Sequence, residues 1–169
     1  LGDSFRGFRI VGTTPAYITH YGAQIAQGAL WAGPMQAVAG AQAAKAAALV
    51  PGTKFIGSHG LGGGGHAHGD TPYTVAGVLA PCGCVLDRLI LTATESVWQV
   101  HEKATAVDEE DRKALEAERE ITLALIRYKS PLAAVTFPRF VNTTTDMQAA
   151  APAVEVTRLL RMVGVGADV

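Results

Sequence analysis

QAVAGAQAAKAAALVPG, Gln36–Gly52, sets an apolar run directly against an alanine-rich one. The stretch from Gln36 to Leu49 reads as a buried strand turning into an Ala-rich helix, which Pro51-Gly52 then ends. Working outward, Arg9 to Thr13 predicts a strand, and Pro15 opens a short helix through Tyr21. On the other side, Thr53 to Gly57 and Tyr73 to Leu79 are short apolar runs with β-branched and aromatic residues, bounded by turn signals. A third apolar run, Asp87 to Leu91, follows Pro81-Cys82-Gly83-Cys84.

The second half changes character. Asp108 to Glu120, DEEDRKALEAERE, carries an Asp cap, acidic residues in its first turn, and opposite charges four apart at Glu109 and Lys113. It predicts a solvated helix or tether. Ile121 to Tyr128 reads as a strand, Pro131 to Asn142 as a helix begun by proline, and Ala149 to Met162 as a closing helix. Strands and helices that do not alternate regularly predict an α+β protein.

Composition narrows the function classes. With 169 residues, 49% apolar and 17% charged, the chain has globular rather than disordered proportions. A net charge of -1 and scattered Lys and Arg leave no basic footprint for nucleic acid. No segment reaches the roughly 18 consecutive apolar residues of a membrane helix. FRGFRIVGTT, near the start, reads as a strand whose hairpin partner should precede it, so an exposed sheet edge, or one paired with another copy, is expected. RLLRMVGVGADV at the other end reads as the beginning of a further element.

One loop concentrates the chemistry-bearing residues. In SHGLGGGGHAHGDTPYTV, Ser58–Val75, the run Gly60 to Gly65 satisfies G-x-G-x-x-G in form. That fingerprint requires a helix start to meet a pyrophosphate, and His66 to Thr74 supplies none, so nucleotide binding is excluded. Ser58, His59 and Asp70 lack a nucleophile-elbow frame, and no enzyme is expected. Cys82 and Cys84 read as small apolar side chains in a turn, because a disulfide at that spacing is strained and C-x-C alone is a weak metal signal. Two readings of the loop stay open. His66 and His68 fall on one side of an extended backbone, and the glycines let His59 fold back, so that with Asp70 they offer a tetrahedral set for Zn(II). The alternative is a solvated hairpin tip.

A resemblance adds a context. FRIVGTTPAYITHYGAQIAQGALW (Phe8–Trp31), AVAGAQAAKAAALVPGTKFIG (Ala37–Gly57), YTVAGVLAPCGCVLDRLILTATESVWQVH (Tyr73–His101) and SPLAAVTFPRFVN (Ser130–Asn142), in that order, resemble the MacB-like periplasmic core domain of FtsX-family ABC transporter permeases. The family has small or hydroxyl residues where Cys82 and Cys84 stand, and its first membrane helix would precede Leu1. The resemblance implies a two-lobed fold: 1–14 and 121–169 in a porter-like proximal lobe, 15–94 in a strand-rich distal lobe, and 95–120 as the connector with the charged helix. It also implies a non-catalytic periplasmic segment of an inner-membrane permease. Its expected partners are a separate cytoplasmic ABC ATPase, a second permease copy and a periplasmic substrate-delivery protein, with flanking helices in the membrane. The alternative function is a stand-alone periplasmic zinc carrier using His59, His66, His68 and Asp70.

Overall fold

Arg6-Gly7 turns the chain back between Asp3–Phe5 (β1) and Phe8–Thr13 (β2), with Phe5 opposite Phe8 and Ser4 opposite Arg9. Both turn residues have positive φ, 49° and 82°, which suits the right-handed twist of a two-residue hairpin. In this computed structural model, which describes residues 3–59 and 71–164, the hairpin partner of β2 is therefore β1. The other edge of β2 is covered too, by a parallel ladder from Arg9↔Leu89 to Thr13↔Ala93. The expected open edge at β2 is thus corrected: the chain's own residues flank it on both sides.

The protein is α+β. After β2 come α1 (Pro15–His20), β3 (Ile25–Gly28), β4 (Gln36–Ala39), α2 (Ala41–Ala47), β5 (Lys54–Phe55), β6 (Ser58–His59) and β7 (Tyr73–Leu79). A single 3-10 turn, Val85–Arg88, leads into β8 (Leu89–Ala93) and α3 (Thr94–Thr105). The sheet runs β3-β7-β4-β8-β2-β1-β6, with β5 also on β7. The β2/β8 and β4/β7 pairs are parallel and the remainder antiparallel. Between Ala37 and Val38 the β4/β7 register shifts, so Val75 and Val78 both return to the face shared by Ala37 and Ala39.

Both faces are covered. Ile10, Ala37, Ala39, Val75 and Ile90 pack with the alanines of α2 and with Val100 of α3. Val38, Leu79, Leu86 and Leu91 pack on the other face with Ile18 of α1. Ile90 and Leu91 are wholly buried, each worth about 1.5–3 kcal/mol over an exposed position.

Two compact units divide the chain, Leu1–Glu120 and Ile121–Val169. Within the first unit β2 is laddered to β8 along its whole length. Thr94 marks the passage from β8 into α3. Within the first unit, α4 (Glu109–Ala117) is capped by Asp108, whose Oδ1 accepts from the backbone N–H groups of Glu110 and Asp111 at 2.9 Å. Its ion pairs run from Arg112 to Glu109 and Glu116 rather than through the expected Glu109 and Lys113. The clasp to α3 lies just beyond: Arg119 donates to Glu102 at 2.6 and 2.9 Å, stacks over Trp98, and Trp98 Nε1 donates to the Glu120 carbonyl.

In the second unit the expected strand at Ile121–Tyr128 is irregular backbone, with Ile121, Leu123, Leu125 and Ile126 exposed. Its alternation invites a strand, but no described strand offers it a ladder. α5 (Pro131–Thr144) begins at Ser130, whose hydroxyl accepts from Ala133 N–H. Asn142 and Ala149 exchange two hydrogen bonds that fasten the turn before α6 (Pro152–Met162). Among the described residues no helix is long and apolar enough to cross a membrane.

Candidate functional site

His66, His68 and Asp70 lie outside the described residues, and of His59 only the backbone is described, paired with Asp3 at the end of the β1/β6 ladder. The structure therefore brings none of the four expected ligand side chains together or apart. Among the described residues no group of three or more His, Cys, Asp or Glu is gathered for a metal ion.

What the structure does place is the base from which that loop leaves and to which it returns. Asp3 is buried on β1, Thr71 is buried just before β7, and Tyr73 opens β7 at 1% exposure. A side chain at Gly57 would lie 3.7 Å from both Asp3 Cβ and Tyr73 Cε2, which fixes how closely the strands meet. α3 completes the cluster. It starts directly from β8, and Ser96 and Val100 turn inward, Ser96 accepting from Met35 N–H at 2.9 Å and from the Thr92 hydroxyl at 2.8 Å. The next residue along, His101, brings Nε2 to 3.7 Å from Asp3 Oδ2.

The electrostatics of this cluster are set by burial. A buried carboxylate is costly unless paired, and the His101 imidazole is one neighbour that can offset it. Tyr73 stacks on Phe55 with ring centroids 5.3 Å apart, and among the described residues its hydroxyl has no hydrogen-bond partner. Burial first, and the Asp3 carboxylate second, push the phenol well above its ordinary range, so it stays neutral. At 3.7 Å the Asp3 carboxylate and the His101 imidazole form an ion pair when the ring is protonated.

A second built feature lies between β7 and β8. Cys82 and Cys84 form a disulfide, which corrects their reading as apolar turn residues. The reason is Asp87: its carboxylate accepts from Cys82 N–H at 3.0 Å and Gly83 N–H at 2.9 Å, and Gly83 adopts φ 65°. The turn so formed brings the two Cα atoms to 5.1 Å, within reach of a bridge. A cleft of about 370 Å³ lies beside α1, lined by Ile18, Thr19, Ala23, Gln24, Ile25 and Leu30, and among the described residues no titratable group lines it.

No local motif in the sequence marks Asp3, Tyr73, His101 or Asp87. No protein-family model, curated protein or solved structure matches the chain.

Proposed function

We propose that this chain is the periplasmic segment of an ABC transporter permease that couples cytoplasmic ATP hydrolysis to substrate handling in the periplasm and is itself non-catalytic. The observation that carries the reading is the order of the blocks resembling the MacB-like core. Phe8–Trp31, Ala37–Gly57 and Tyr73–His101 supply β2, β4, β7 and β8, the adjoining inner strands of one sheet, together with α1, α2 and α3 packed on its two faces. A sheet covered on both faces is stiff enough to transmit displacement rather than absorb it. The Cys82–Cys84 bridge accords with an oxidising compartment. The partners on this reading are a cytoplasmic ATPase, a second permease copy and a periplasmic delivery protein. Compartment is tested by Lys113→Cys on exposed α4, labelled in intact cells with a membrane-impermeant maleimide. Labelling of intact cells is expected, and labelling only after lysis would contradict the assignment.

The second reading, a periplasmic zinc-binding carrier domain, draws support from Asp3 and His101 at the base of the loop carrying His59, His66, His68 and Asp70. Imidazole nitrogen and carboxylate oxygen are donors zinc accepts. Calorimetric titration of zinc into the wild type and into His66→Ala/His68→Ala decides it, equal heats removing the reading.

A further inference from the structure

We propose that the Cys82–Cys84 disulfide is a reversible thiol–disulfide exchange site, reduced by a dithiol of the thioredoxin class and reoxidised without unfolding the sheet. The inference stands independently of the transporter reading. It begins from what the bond does not do. A bridge spanning one residue closes so small a loop that chain entropy gives it only roughly half the stabilisation of a 15-residue loop. As a staple it is weak.

The turn, moreover, is held by other means. Asp87, buried beneath it, accepts from Cys82 and Gly83 N–H, and its own N–H donates to the Cys84 carbonyl at 3.1 Å. These bonds do not involve sulfur, so they persist when the bridge opens. Access is provided by the surroundings: Pro81, Gly83 and Val85 are exposed, and both cysteines are partly exposed.

The carboxylate also makes the two sulfurs unequal. Cys82 Sγ lies 3.4 Å from Asp87 Oδ1, so negative charge is disfavoured on Cys82 relative to Cys84. A thiolate of the reductant attacks Cys82 Sγ, giving up its charge as the new S–S bond forms, and Cys84 leaves as the thiolate. The second thiolate of the reductant then attacks its own sulfur in the mixed disulfide and expels Cys82, which takes a proton and donates S–H to Asp87. The Cys84 thiolate likewise takes a proton, the two protons being those the reductant's thiols release on ionising, so that two electrons and two protons reach the protein and the reductant becomes a disulfide.

The test is reduction of the full chain by millimolar dithiothreitol in native buffer, followed by alkylation and mass measurement, with circular dichroism recorded alongside. Complete reduction, an unchanged spectrum and full reoxidation are expected. Reduction only in denaturant, or loss of the sheet signal on reduction, would make the bridge a structural brace and overturn the proposal. Single-cysteine variants test the asymmetry without relying on a redox cycle: at neutral pH, Cys82→Ser should be alkylated several-fold faster than Cys84→Ser. Equal rates, or the reverse order, would overturn the assigned order of attack.

Discussion

Replacing Gly40 with alanine probes the joint on which the architecture turns. Gly40 is buried between β4 and α2, and a Cβ there would sit 1.9 Å from the Leu86 carbonyl oxygen and 2.7 Å from the Asp87 carbonyl. Non-bonded heavy atoms rest at about 3.5 Å, so the backbone must part by roughly 1.5 Å. That movement breaks the bond from Gly40 N–H to the Leu89 carbonyl, now 2.8 Å. Overpacking costs about 1–3 kcal/mol, and a stranded buried donor about 1–3 more. Gly40→Ala should therefore destabilise the first unit by about 4 kcal/mol, a large part of the usual 5–15. Both tryptophans, Trp31 and Trp98, lie in Leu1–Glu120, so their fluorescence during urea unfolding reports that unit. With a slope near 2 kcal/mol/M the midpoint should fall by about 2 M. Gly33→Ala, where an added Cβ meets nothing within 4 Å, should stay within about 0.5 kcal/mol. A Gly40→Ala midpoint indistinguishable from wild type would refute the seating of the 3-10 turn against the β4–α2 joint.

Three further outcomes are expected. Tyr73→Phe, removing a buried hydroxyl without a partner among the described residues, should be neutral or stabilise by up to about 1 kcal/mol in the same assay; a clear loss would reveal a bond to that oxygen. The Arg119 hydrogen bonds hold Glu102 below the usual carboxylate range, so the folded state binds its proton less readily than the unfolded one. The stability this gives is complete above the unfolded value near pH 4.3 and is lost as pH falls through the depressed folded value; Glu102→Gln should flatten that acid limb, and an unchanged limb would show the clasp to be inert. On exposed α4, joint replacement of Glu109, Lys113 and Glu116 by alanine should shift stability by no more than about 1 kcal/mol in chemical denaturation, and a loss several times larger would mean the helix is packed.

The legible parts of the fold are those whose causes are local. Pro15 at a first helical turn, the alanine run after Gly40, and Asp108 ahead of acidic residues each specify an element within a few residues, and α1, α2 and α4 stand where those signals fall. Ile121–Tyr128 misled because alternation describes a strand only when a ladder partner exists, and partnership is a property of the whole chain. The β1/β2 hairpin turns at Arg6-Gly7, where a non-glycine residue accepts positive φ in the first turn position, a conformation the residue type does not announce. The Cys82–Cys84 bridge depends on Asp87 folding back over the turn, which spacing alone does not disclose. Asp3, Tyr73 and His101 come from β1, β7 and the far end of α3, so only the assembled sheet brings them together.

If this chain serves an ABC transporter as proposed, the protein should be recovered from membranes together with its ATPase. Affinity purification from detergent-solubilised membranes, with bound proteins identified and ATP hydrolysis measured in the eluate, should yield a stoichiometric ATPase carrying a Walker motif and a hydrolysis rate that rises with the recovered complex. Recovery of the protein from the soluble fraction, with no ATPase and no hydrolysis above background, would contradict it.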